Sequence, residues 1–186
     1  MKRKRNLRPE RKMKPVFLVF NEGETEEAYV NFLRQQYRLP IKVIIYKTGL
    51  SISQKLIKNQ IKLEQLDRRD VIATFLMYDL DKDTIIEKLD ACKESVNISS
   101  SPCIELWFLL HHIAQFAEIS TTACISALQK IPDWANYKKG AFSTKQKQNL
   151  WEKRMDACHR ARGLQESKNP SSAVYRLIEA MEKAKA

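Results

Sequence analysis

Two short acidic clusters stand where this chain could do chemistry. The first is Asp79-Leu80-Asp81-Lys82-Asp83, which ends the apolar run Val71 to Tyr78. Residues two apart on an extended chain project to one side, so Asp79 and Asp81, with Asp83 as a third, are placed to converge at a strand tip. The second is Glu22-Gly23-Glu24-Thr25-Glu26-Glu27, which ends the run Val16 to Phe20. Glu22 lies before the turn, at the tip of that strand. If the two strands are neighbours, the acids form one cluster, and such a cluster repels itself unless a cation neutralises it. Oxygen-only ligands favour Mg²⁺, Mn²⁺ or Ca²⁺ over Zn²⁺. A divalent ion beside a basic surface is the equipment of phosphodiester chemistry. The structural alternative is that the aspartates turn the chain and cap the next helix, and that Glu24, Glu26 and Glu27 serve a helix macrodipole.

The elements that must position these acids follow from hydropathy. Val16–Phe20, Ile41–Tyr46 and Val71–Tyr78 read as buried strands, with a short one near Ser95–Ile98. Helical stretches separate them: one after Gly23 through Arg38, capped by Thr25; one over Ile52–Leu66; and one from about Thr84 to Cys92. The second has Ile52, Leu56, Leu63 and Leu66 as its inner face, with Ile57 and Ile61 on another side. Gly23 is read as permitting a tight strand-to-helix turn. Alternation of strand and helix predicts an α/β fold, a mainly parallel sheet with helices on both faces. Open parallel sheets bind ligands at the carboxyl ends of their strands, where these acids lie.

From Cys103 the pattern turns helical with no strong strand signal. Cys103 to His111 is apolar nearly all round and reads as a buried helix. Glu105 within it requires a pocket or a partner. His111 reads as a helix-end or core histidine before a ligand. Lys138, Lys139, Lys145 and Arg154 follow, interleaved with Trp134, Tyr137, Phe142 and Trp151. This is either a nucleic-acid surface or an ordinary helix with its rings in the core. Asn169-Pro170-Ser171-Ser172 opens a last helix with Val174, Leu177, Ile178 and Met181 as its stripe. The organisation expected is a basic flexible arm (1–14), an α/β core (15–113) and an α-helical extension packed on it (114–186).

The chain has 33 Lys+Arg against 22 Asp+Glu in 186 residues, a formal net charge of +11. That balance favours an anionic partner, nucleic acid first and a membrane surface second; among nucleic acids, DNA is expected ahead of RNA. The basic head has no signal-peptide core and no run spans a bilayer, so a cytoplasmic protein without membrane contact is expected. Cys92, Cys103, Cys124 and Cys158 lack paired metal spacing and read as free thiols. The oligomeric state stays open.

Motif comparison separates three acidic-loop classes. An EF-hand needs Gly where Thr84 stands and a helix before the loop. A haloacid-dehalogenase phosphatase matches Asp79 and Asp81, but leaves Glu22-Gly23 unexplained. TOPRIM domains carry Glu-Gly after the first strand and Asp-x-Asp after a later one, and the chain resembles them at both places. More narrowly, from Phe17 onward it resembles RloB, a TOPRIM-like family of prokaryotic defence and restriction-associated loci. The resemblance runs through Glu22-Gly23-Glu24-Thr25-Glu26 with Tyr29, Asp79-Leu80-Asp81-Lys82, Ser101-Pro102-Cys103-Ile104-Glu105-Leu106-Trp107 through His111, Tyr137-Lys138-Lys139 and Asn169-Pro170-Ser171. Ser101, Ile104 and Asn21 depart from the family's usual residues. The resemblance implies a TOPRIM-like α/β core with an α-helical C-terminal part and a metal-dependent nuclease role against phage, often beside an ATPase from the same locus. It implies Asp79 and Asp81 on Mg²⁺ or Mn²⁺, and Glu22 as general acid/base or ligand. Glu26 would hold a second metal position, and Asp83 would be an outer ligand. Gly23, Lys82, Glu105 and His111 would support the site. Two other classes are open: a nucleic-acid-binding or regulatory subunit without its own catalysis, and a small-molecule phosphatase or nucleotidyl enzyme.

Overall fold

The computed structural model describes residues 15–39, 42–66, 71–81 and 83–185. The basic head, Lys82 and the side chain of Asp83 lie outside the described residues, as do the expectations placed on them. Four strands, β1 (Val16–Asn21), β2 (Lys42–Lys47), β3 (Ile72–Met77) and β4 (Val96–Asn97), form one sheet in the order β2-β1-β3-β4. All its pairings are parallel. β1 is central, and all six of its residues are buried, which is why it reads as an unbroken apolar run. The fold is thus α/β, as the alternation predicts.

Helix α1 (Glu24–Tyr37) joins β1 to β2, α2 (Gln54–Leu63) joins β2 to β3, and α3 (Asp83–Asp90) joins β3 to β4. Two apolar cores record which face each covers. Phe17, Val19, Phe75 and Met77 pack with Tyr29, Val30 and Leu33 of α1. Val16, Leu18, Phe20 and Leu76 pack on the other face with Ile57 of α2 and Ile85 and Leu89 of α3. The first crossover moves one way along the sheet and the next two the other, so right-handed connections put α1 opposite α2 and α3.

The remaining helices are α4 (Ile104–Leu110), α5 (Thr121–Gln129), α6 (Thr144–Glu152), α7 (Arg154–Arg162) and α8 (Tyr175–Lys185). They supply Trp107, Phe108, Cys124, Leu150, Cys158, Leu177 and Met181 to the α1-side core. Every residue of α4 is buried, Glu105 included, and the expected stripe of the last helix, Val174, Leu177, Ile178 and Met181, is buried too. The four cysteines are free and buried. Among the described residues no helix is long and apolar enough to cross a membrane.

Two local expectations fail. Ser53, whose Oγ accepts from the Leu56 N–H at 3.2 Å, starts α2. Ile52 therefore precedes the helix, yet Ile52, Leu56 and Leu66 pack in one core with Ile57 and Ile61, and of the expected inner face only Leu63 fails, 73% exposed. A second small sheet also exists, β5 (Ser100–Ser101) paired antiparallel with β6 (Ser171–Ser172). Two-residue serine strands carry no hydropathy period, so the sequence gives no sign of them.

Candidate carboxylate site

β1 and β3 lie side by side in parallel register, Asn21 opposite Met77. The Glu22 N–H continues that ladder onto the Met77 carbonyl at 3.3 Å. Between these strands the connection order reverses, and that crevice is where an open α/β sheet binds its ligand. Here the carboxyl ends deliver Glu22 from β1 and Asp79 from just past β3. Both line an open pocket of about 280 Å³, together with Glu26, Ile104 and Lys139.

Asp79 stays in the sheet because its segment bridges to Ser100, with the Leu80 N–H on the Ser100 carbonyl at 2.8 Å. Its Oδ1 accepts the Ile104 N–H at 2.7 Å, tying the strand tip to the start of α4. Loss of water on burial, then the charges of Glu26, Glu105 and Glu22, push its carboxyl up to about 9, against the pull of the Ile104 hydrogen bond. Burial also raises Glu26, with Glu105 and Glu22 adding to the effect. Four acids therefore sense one another here.

The period-two expectation breaks at the next acid. Extended pairing ends at Leu80 and the chain bends at Asp81 before α3, which leaves Asp81 exposed and outside the pocket lining. Gly23 stands at φ −139°, a conformation open to any residue, so a turn does not demand it. A Cβ there would lie 3.1 Å from Glu26 Oε2, so a larger residue would make that carboxylate shift by a few tenths of an ångström. Thr25 does not cap α1. Its Oγ1 accepts the Gly140 N–H at 2.9 Å from a segment 115 residues away.

Glu105 finds the partner that its burial required. Tyr137 donates its hydroxyl to Glu105 Oε1 at 2.9 Å, and Lys139 Nζ lies 3.7 Å from the same oxygen. Burial works against the Lys139 charge, but Glu105, Asp79 and Glu26 outweigh it and raise its pKa. The basic segment thus reaches the acids through Lys139 and the Tyr137 hydroxyl. Trp134 and Tyr137 are buried, while Phe142 and Trp151 are partly buried against the core, Phe142 also lining a second groove with Lys138 and Lys145. Lys138 and Lys145 are exposed, and the groove they line comes within one residue of Lys139 along the chain. Arg154 is elsewhere: its guanidinium holds Glu182 at 3.0 Å and lies 4.1 Å over the Trp151 ring. His111 is also remote in role. It ends α4, where its Nδ1 meets the Trp107 carbonyl at 2.8 Å, and burial lowers its pKa to about 3. It serves the core, seven residues and roughly 10 Å of helix from the Ile104 end.

Tyr137, Thr25 and Gly140 are the residues that the sequence does not assign to the site. Gly140 carries a usable signal, since a Gly after Tyr-Lys-Lys marks a turn. It sits at φ +78°, and a Cβ there would lie 3.2 Å from Glu24 Cβ. Gly140→Ala is expected to cost about 1–2 kcal/mol from the left-handed backbone alone, read as a lowered urea midpoint with an unchanged slope. An unchanged midpoint would show that the turn relaxes freely.

The donor set fits a hard cation in part. Glu22 Oε2 and Glu105 Oε2 are buried without hydrogen-bond partners. Among the described residues no three carboxylate, imidazole or thiol side chains converge on one ion. Mg²⁺ is commonly held by one or two carboxylates and several waters, and Glu22 with Asp79 matches that mode, not a protein-only cage.

Comparison with known proteins gives one positive result. The family model described as RloB-like protein matches the chain over residues 17–181. No curated protein and no solved structure matches it.

Proposed function

This chain belongs to the RloB-like protein family, and from that premise we propose that it is a metal-dependent, TOPRIM-type nuclease of an anti-phage defence locus, working beside an ATPase. The observation that carries this reading is the meeting of Glu22 and Asp79 at the β1/β3 crevice with Lys139 in the same pocket. Glu22 and Asp79 would hold Mg²⁺ or Mn²⁺, which would supply charge neutralisation and activation of water. The chain's own residues do the rest. Asp79 is oriented by the Ile104 N–H. Glu22 is half-buried with one unpartnered oxygen, which on this reading takes the proton from the attacking water. Lys139 faces the phosphate, and Lys138 and Lys145 continue a basic path along the second groove. Asp81 has no part in this reading, and neither does Arg154.

The test is cleavage of DNA and RNA in Mg²⁺ or Mn²⁺ by wild type, Glu22→Gln and Asp79→Asn. Each variant should lose at least a hundredfold, since each removes a charge that the reaction uses. Equal activity in all three sinks the catalytic assignment. One observation favours a second reading: Asp79 already has a structural bond to α4, as a regulatory subunit with structural acids would need. Nucleic-acid binding that depends on salt but ignores EDTA would favour that reading.

A further inference from the structure

The Tyr137–Gly140 turn is fastened over the carboxylate pocket at three points. Tyr137 bonds Glu105 Oε1, the Gly140 N–H bonds Thr25 Oγ1, and the bare Cα of Gly140 rests against Glu24. The turn therefore sets where Lys139 stands. Its Nζ lies 3.7 Å from Glu105 Oε1, and its side chain lines the same pocket as Glu22, Glu26 and Asp79. Among the described residues Lys139 is the one cation of that lining. Glu105 is 0% exposed and keeps Oε2 unpartnered. A carboxylate so buried is stable only beside positive charge or strong donors.

A cation held by Glu105 and Glu26 would sit about 2–2.6 Å from their oxygens, and the Lys139 ammonium, 3.7 Å from Glu105 Oε1, already supplies positive charge beside that position. It also repels a second cation there, less strongly than a buried charge would, because its side chain is 60% exposed. We propose that Lys139 stands in for a second metal ion, so that the pocket holds one divalent ion on its Glu22–Asp79 side while the ammonium neutralises Glu26 and the neighbouring buried Glu105. This rests on the metal-dependent reading above and replaces the second metal position that family resemblance assigns to Glu26.

Mn²⁺ alone is the probe. Electron paramagnetic resonance of free Mn²⁺ and calorimetry count the ions bound per full-length chain in wild type, Lys139→Arg, Lys139→Met and Lys139→Gln. The Lys139 side chain is 60% exposed, so its replacement spares the core, and circular dichroism checks the fold of each variant. One ion is expected in wild type and Lys139→Arg, and two in Lys139→Met and Lys139→Gln. Two ions in wild type overturn the proposal and leave the metal-dependent function standing. One ion in all four also overturns it, because removing the ammonium then opens no position. No bound ion in any of them sinks the metal-dependent reading and this proposal together.

Discussion

Asp79→Asn should make the metal-free chain more heat-stable than wild type at pH 8, with the difference vanishing near pH 4. The unfolded chain loses this proton near an ordinary pKa of about 3.9. The folded chain holds it until about 9, because burial and the charges of Glu26, Glu105 and Glu22 oppose ionisation. Between those values the unfolded state binds fewer protons, so stability falls as pH rises. The group's contribution is whole below pH 4 and is lost by the time pH passes 9. Asn cannot ionise, and its carbonyl can still accept the Ile104 N–H. A shift of one unit is worth about 1.4 kcal/mol, and with partial solvent access the gain at pH 8 should be on the order of 2 kcal/mol. For a chain of this size that is roughly 4–8 °C. Melts in EDTA from pH 5 to 9 give the comparison, and parallel profiles for the two proteins would rule the explanation out. Adding Mg²⁺ should reverse the order at pH 8, since an ion that binds the folded wild type stabilises it by mass action.

Trp107→Ala should be the most destabilising change outside the site. Trp107 is fully buried in α4, and its Nε1 donates to the Tyr29 hydroxyl at 2.7 Å. Its ring meets His111 edge-on at 5.0 Å. Removing a buried tryptophan typically costs about 3–5 kcal/mol through lost transfer energy and the cavity left behind. The Tyr29 hydroxyl, itself buried, would also lose its partner. A fall in melting temperature of roughly 6–20 °C follows. Trp107→Phe keeps most of the volume and should isolate the hydrogen bond, at about 1–3 kcal/mol. A Trp107→Ala protein that melts within about 2 °C of wild type would mean that α4 repacks around the gap. Because α4 also holds Asp79 through Ile104, Trp107→Ala should weaken Mn²⁺ binding even where the protein remains folded.

What the sequence determined by itself is local. The strand ending in Glu22-Gly23 and the strand ending before Asp79 are legible because runs of buried residues and the turns that stop them are set within a few neighbours. The buried character of α4 and the stripe of α8 are legible for the same reason. The need of Glu105 for a partner was also plain, since a carboxylate on an apolar helix cannot stand alone. The identity of that partner was not. Tyr137 lies 32 residues away and Gly140 lies 115 from Thr25, and no periodicity encodes contacts at such range. Period-two counting put Asp81 beside Asp79, yet the chain leaves the sheet at Leu80, where pairing with Ser100 ends. Aromatics among lysines looked alike whether wet or buried; packing on Phe108 of α4 put Trp134 and Tyr137 in the core, and Phe142 and Trp151 are partly buried at its edge. Only the tertiary structure decided that β1 lies beside β3, which makes neighbours of Glu22 and Asp79. It also decided that the cation among those acids is Lys139, because strand order and loop docking minimise the free energy of the whole chain, whereas a motif records only its own few residues.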